Sequence, residues 1–176
     1  MKRLRNPEVP VPPAMQHLPI VNGYHKPWFV LDKDFRVTDP EKYIRAHNES
    51  RCFICGGVNK KKRWAFVHGP VSAQTRRALD APAHEDCARY ALRVCPFIMF
   101  PNKARTYEDG LEPEEFVTEN PGVFYISVVM DYFVMPMPSG KGVMFGWDDA
   151  KTLRVERWER GSRSADDHLC LERRPT

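Results

Sequence analysis

The sequence predicts an α+β protein made of small antiparallel hairpins and short helices. Three observations point there. Cys52-x2-Cys55 and His84-x2-Cys87 stand 28 residues apart, and two short pairs of thiol and imidazole donors at such spacing mark a four-coordinate zinc site. Sixteen prolines, many of them in the first 40 residues and between 96 and 138, cut the chain into short elements. Runs rich in β-branched and aromatic residues, at 63–67 and 123–137, are bounded by glycine and proline. Knuckle, hairpin and helix in that order are the plan of an embedded treble-clef zinc finger.

The elements follow in chain order. Residues 1–16 are basic and proline-rich and read as an extended arm, a disordered terminus in preference to a clamp onto a partner or another subunit. Asn22-Gly23 is a turn signal. Residues 28–31 and 35–37 flank Asp32-Lys33-Asp34 and read as a hairpin. Asp39 can accept from the first unbonded backbone N–H groups of a helix, and Pro40 suits its first position. That helix places Tyr43, Ile44 and His47 on one face and ends near Ser50. Gly56 and Gly57 let the backbone close tightly behind the first cysteine pair. Residues 63–67 form a strand, Gly69-Pro70 turns it, and 71–73 return as a shorter strand.

Pro82 opens a helix to about Cys95, stopped by Pro96. Its apolar stripe is Cys87, Ala88, Ala91, Leu92 and Cys95, with Arg89 and Arg93 one turn apart on another face. Residues 102–119 are a polar surface excursion. Residues 123–137 form one long strand, or a strand bulged at Asp131, and 143–147 pair back through the turn Ser139-Gly-Lys-Gly142. Asp148 caps a helix of about ten residues containing Leu153, Val155 and Trp158, which Gly161 ends. Ser164 caps a last helix through Leu171. These elements divide into an arm (1–16), an N-terminal hairpin and helix (17–50), the finger (51–96) and a C-terminal hairpin with helices (97–176), together one unit.

Four protein donors, Cys52, Cys55, His84 and Cys87, would close the coordination of a structural Zn²⁺ and leave no position for water. Cys95 lies eight residues beyond Cys87, about 12 Å along a helix axis, whereas ligands of one tetrahedral zinc sit roughly 4 Å apart. It is read as a packing residue. His68 is a rival ligand to His84. It is also the candidate general base of a metal-dependent treble-clef nuclease of the ββα-metal type, which carries a histidine on its hairpin. Such a site needs acidic or further histidine ligands for a metal at the scissile phosphate. Val67 precedes His68, and Asp80, Glu85 and Asp86 do not complete the pattern. A zinc deaminase fits less well still, because its His-x-Glu precedes its Cys-x2-Cys, and here the Cys-x2-Cys comes first.

A formal net charge of +4 is compatible with nucleic acid without demanding it. Lys60, Lys61, Lys62 and Arg63, with Arg76, Arg77, Arg89 and Arg93, could build a phosphate-binding face, and Trp64 and Tyr90 could add stacking surfaces. The alternative is a solvated basic loop. Met130, Met135, Met137 and Met144 among aromatics could form an adaptable protein-binding patch, or the core of the C-terminal hairpin. No apolar run reaches the ~18 residues of a membrane span, and the basic N-terminus lacks the apolar segment of a secretory signal. Five cysteines, an odd number, fit metal binding and thiols better than a disulfide framework. The expected setting is the cytoplasm.

A further set of landmarks runs along the chain: His17-Leu-Pro, Gly23-Tyr24, Pro27-Trp-Phe-Val, Asp34-Phe-Arg-Val, Cys52-x-x-Cys55-Gly, Ala65-Phe-Val-x-Gly69-Pro, Pro82-x-His84-x-x-Cys87-Ala and Cys95-Pro-Phe. Asn120-Pro-Gly-Val and the Trp147 and Trp158 region follow more loosely. In this order they resemble a protein family of tailed bacteriophages and of prophage-like genes in bacterial genomes. Residues 75–80 depart from it, being more basic and less apolar. The resemblance implies a phage origin and a metal-held fold, and it carries no catalytic role. The expected function is that of a non-enzymatic, zinc-stabilised binding protein, a phage accessory or regulatory factor acting on nucleic acid or on a host protein, with the His68 nuclease as the alternative.

Overall fold

The computed structural model describes residues 6–31, 33, 35, 38–99, 120–140 and 142–164. The excursion at 102–119, the last helix expected through Leu171, and Cys170 lie outside them. So do Asp32, Asp34, Arg36 and Val37 of the second expected hairpin, of which the described residues show one antiparallel bridge, Val30 to Thr38.

The chain begins with a 3₁₀ turn, Pro13–Met15. A two-residue hairpin of β1 (Ile20–Val21) and β2 (Tyr24–His25) follows. Its turn is Asn22-Gly23, both at positive φ, 53° and 82°, which matches the right-handed twist of the flanking strands. Helix α1 (Pro40–Asn48) starts as read: the Asp39 side chain accepts from the Glu41 and Lys42 N–H groups. Its buried face is not the expected one. Ala46 is buried and Tyr43 packs inward, whereas Ile44 is 60% exposed.

Beyond the knuckle come β3 (Trp64–His68), α2 (Pro70–Thr75), β4 (Arg77–Ala78), α3 (Glu85–Val94) and α4 (Pro96–Met99). The return strand predicted at 71–73 is therefore a helical turn. Gly69 in extended conformation precedes Pro70 at the first helical position, a start signal as good as the turn it was read for. The strand that closes the finger's hairpin comes later: Ala65 and Ala83 exchange both backbone hydrogen bonds, each 2.9 Å, one residue ahead of His84. The knuckle-hairpin-helix order is thus kept, with α2 and β4 inserted in the hairpin.

The predicted long strand over 123–137 is two strands in two sheets, β5 (Val123–Val129) and β6 (Phe133–Pro136), and the register shifts between Val128 and Val129. β7 (Val143–Gly146) pairs with β6 as expected. The helix expected after Asp148 is a 3₁₀ turn, Asp149–Lys151, followed by an eight-residue strand, β8 (Thr152–Glu159), and by β9 (Ser162–Arg163). Gly161, at φ 78°, turns β8 into β9 rather than ending a helix.

The result is layered. A four-stranded antiparallel sheet in the order β3-β5-β8-β9 is covered on one face by α3 and α4 and on the other by a three-stranded sheet, β4-β7-β6, with α1. Strand alternation sorts the core. Ala65, Phe124, Ile126, Val128 and Trp158 meet Ala88, Leu92 and Ile98. Trp64, Phe66 and Val129 meet Phe145, Trp147, Phe53 and Ala46. Among the described residues no helix is long and apolar enough to cross a membrane.

Candidate metal centre

Cys52, Cys55, His84 and Cys87 converge. Their ligand atoms all lie within 4.8 Å of one another. The Cys55 Sγ to His84 Nδ1 separation is 3.3 Å and the Cys87 Sγ to His84 Nδ1 separation is 3.9 Å. A tetrahedral ion with bonds of about 2.0–2.3 Å spaces its donors by roughly 3.5–3.8 Å, so shifts of about an ångström or less would bring the four residues onto such an ion. The geometry also selects Nδ1 as the imidazole donor. Cys95 stands apart, packed against the Ala65, Leu92 and Trp158 cluster.

Each donor is positioned by local structure. The knuckle closes through Cys52 N–H to Gly57 O and Gly56 N–H to Cys52 O, each 2.8 Å. Gly56 sits at φ 74°, and a Cβ there would lie 2.6 Å from the Trp28 ring, so both conformation and space require glycine. His84 and Cys87 come from the start of α3, one turn apart. Backbone N–H groups point at the sulfurs: His84 N at 3.2 Å and Cys55 N at 3.5 Å from Cys52 Sγ, and Gly57 N at 3.4 Å from Cys55 Sγ. Such bonds stabilise thiolates and fix their orientation.

The thiols are withdrawn from water, with Cys52 and Cys87 at 0% and Cys55 at 1% exposure. Crowding separates their acidities. Hydrogen bonds from the Cys52 and Cys87 thiols drive the Cys55 thiol far down, while the Cys52 and Cys55 sulfurs push Cys87 up. The same two sulfurs raise the His84 imidazole to about 10. Four donors crowded on one point make a place where a cation can replace protons.

The centre has a cover that the sequence reading missed. The described part of the arm, residues 6–16, is packed rather than disordered: Met15, and Leu18 just beyond the arm, are buried against Cys52, Cys55, Cys87 and Tyr90, with Val9 and Val11 alongside. The signal was present as apolar residues spaced between the prolines.

His68 lies elsewhere. It is 5% exposed, stacked on Tyr125 and tilted against Trp147. Its Nδ1 is 3.1 Å from the Gly69 carbonyl, so Nδ1 carries the proton, and Nε2 accepts from the Ser127 hydroxyl at 2.8 Å. Burial lowers its pKa to about 4. A ring enclosed in this way is neither a ligand of the cluster nor presented to a phosphate.

The cationic residues do not form one face. Arg89 is engaged by Glu156, Glu85 and Asp86, Arg93 lies over the Trp158 ring at 5.6 Å, and Arg76 pairs with Asp149 at 3.0 Å. Arg77 is exposed on β4. Trp64 and Tyr90, expected as stacking surfaces, are buried at 6% and 5%. Lys60, Lys61, Lys62 and Arg63 remain together and exposed, and no ion pair engages them among the described residues. Buried Asn59 braces their loop, donating to Arg63 O at 2.7 Å and accepting from Lys61 N at 3.2 Å. The methionines divide: Met137 is buried, and Met130 is 47% exposed.

No protein-family model, curated protein or solved structure matches this chain.

Proposed function

We propose that the four-donor cluster holds a structural Zn²⁺ and that the protein is a non-enzymatic binding protein whose ligand is nucleic acid. The metal part rests on the donor set. Three thiolates and one imidazole form a soft, closed shell that suits zinc and offers no open position for catalysis. The binding part rests on one observation, the braced cationic loop of Lys60, Lys61, Lys62 and Arg63 beside the knuckle, which no ion pair engages among the described residues. A loop held in one shape loses little entropy on meeting a phosphate backbone, and its charges are not already spent on carboxylates. A phage-encoded accessory or regulatory role in the host cytoplasm belongs to the same reading and rests on the sequence resemblance. The enclosed His68 gives the nuclease alternative no support.

The test is a gel shift with single- and double-stranded DNA and RNA, titrated with salt. Binding through these four cations should show a log–log salt slope near −3, at about 0.7–0.9 per phosphate contacted. Lys61→Glu/Arg63→Glu should abolish the shift while zinc content and circular dichroism stay unchanged. Absence of any shift would move the reading to a host protein as partner, to be sought by capture from host lysate.

A further inference from the structure

A cleft of about 150 Å³ opens beside the knuckle, lined by Leu18, Pro19, Lys26, Pro27, Trp28, Val30 and Lys42. Its walls are fixed by the backbone. Lys26 N–H donates to Pro19 O at 2.8 Å, Trp28 N–H to Ile54 O at 2.7 Å, and Val30 N–H to Pro27 O at 3.2 Å. Trp28 is half-buried, in contact with Gly56 of the knuckle. Its ring carries the Lys42 ammonium and the Arg45 guanidinium, each 5.8 Å from the centroid. The lining therefore mixes two characters: leucine, prolines, valine and indole on the one hand, and the Lys26 and Lys42 ammonium groups on the other.

A cleft of this kind takes a flat or short apolar group that carries an anion. We infer that it is a base-binding subsite for single-stranded nucleic acid, with one unpaired nucleobase against Trp28 and its phosphate at Lys26 and Lys42. The volume suits one ring system rather than a drug-sized ligand. Indole packing against a base is tolerant of sequence, and a paired base could not enter. These two cations are only partly committed. Lys26 donates one bond, to Leu31 O at 2.7 Å, and the Lys42 pair with Asp39 is 3.4 Å long. Position agrees as well. Gly56 touches Trp28, and Lys60 follows four residues later, at most about 14 Å of extended chain. One strand could then lay a base in the cleft and its next phosphates on the cationic loop.

This inference rests on the nucleic-acid reading above, and the experiment separates the two. The zinc-loaded full-length protein is titrated with an eight-nucleotide oligothymidylate and with an abasic deoxyribose-phosphate oligomer of equal charge, following tryptophan fluorescence. Trp64, Trp147 and Trp158 are 6%, 3% and 2% exposed, so a quench reports on Trp28. The expected result is about tenfold tighter binding of the oligothymidylate, with a quench that Trp28→Phe removes at unchanged zinc content. Lys42→Gln, remote from the metal donors, should weaken oligothymidylate binding severalfold. Equal affinity for both oligomers, each lost in Lys61→Glu/Arg63→Glu, would overturn the subsite and leave backbone binding intact. Binding of neither oligomer would overturn the subsite, and the absence of a gel shift with every one of the DNA and RNA forms above would overturn the nucleic-acid reading as well. A quench by a short peptide ending in leucine, with none by oligothymidylate, would assign the cleft to a peptide carboxylate and overturn the inference.

Discussion

Arg89 and Glu156 meet beneath α3, where an Arg89 Nη2 to Glu156 Oε1 contact of 2.5 Å joins the helix that carries Cys87 to the central sheet. Glu156 is fully buried in β8. Arg89 Nε also reaches both of its oxygens, and Arg154 Nε and Trp158 Nε1 donate to it at 3.0 Å and 3.2 Å. Burial works to raise the carboxyl's pKa, but the Arg89 and Arg154 guanidiniums hold it down at about 2. Arg154 further pairs with Glu85, next to His84 of the donor cluster.

Removing Arg89 leaves the buried Glu156 charge with only Arg154 and Trp158 as donors. Arg89→Leu should cost about 2–4 kcal/mol in urea unfolding, somewhat below a fully buried pair because the Arg89 side chain is 28% exposed. Arg89→Leu/Glu156→Leu should recover a good part of that, since it removes both charges. A single variant as stable as the parent would show that Glu156 is satisfied without Arg89.

Gly56→Ala tests the knuckle. It would place a Cβ at φ 74° and 2.6 Å from the Trp28 ring. The left-handed conformation alone costs on the order of 1 kcal/mol, and the steric conflict adds to it. Gly57→Ala is the control, because a Cβ there would meet its nearest neighbour, Cys55 Sγ, at an ordinary 3.4 Å. Gly56→Ala should lower the melting temperature and weaken zinc retention against a chelator, and Gly57→Ala should do neither to a comparable degree.

Metal removal should act on the fold. Binding at such a shell is coupled to folding, with apparent energies on the order of 10 kcal/mol or more in small fingers. Cys52→Ser or Cys87→Ser should lose zinc, measured as metal per chain by elemental analysis. Either should also expose the arm to protease, because Met15 and Leu18 pack on that cluster. One zinc per chain in either variant would mean that the ligand set is wrong.

What was legible in the sequence was whatever is encoded by spacing or by backbone chemistry. The four donors, the Asp39 cap and the Asn22-Gly23 turn each depend on a few adjacent residues. β8 was misread because its inward face carries Arg154 and Glu156 while Leu153, on the other face, is 38% exposed. The usual alternation is inverted there, with Arg89 and Glu85 approaching from α3 to pair with Glu156 and Arg154. α2 was missed because Gly69-Pro70 signals either a turn or a helix start. The split of 123–137 between two sheets depends on β7 and β8, partners distant in sequence. The dispersal of the arginines among Glu156, Trp158 and Asp149 is likewise a tertiary fact with no local trace.

His68 makes stability depend on pH in a defined window. Its folded pKa is lowered to about 4 by burial, although the Gly69 carbonyl works the other way. In the unfolded chain it is about 6.5. Below that value the unfolded state takes up a proton that the folded state refuses until near 4. The stability His68 contributes is therefore complete above about 6.5 and is lost as pH falls toward 4. Between pH 7.5 and 5.5 the loss should be about 1 kcal/mol. Protonation of the metal ligands also destabilises the protein in acid, so the measurement is a difference. Urea unfolding of wild type and His68→Gln is compared at both pH values, and the ligand contribution cancels. The variant starts less stable, having lost the Tyr125 and Trp147 ring contacts, but it should fall by about 1 kcal/mol less on acidification. Parallel slopes would mean that the ring can take up its proton within the fold, contrary to its enclosure between Tyr125, Ser127 and Trp147.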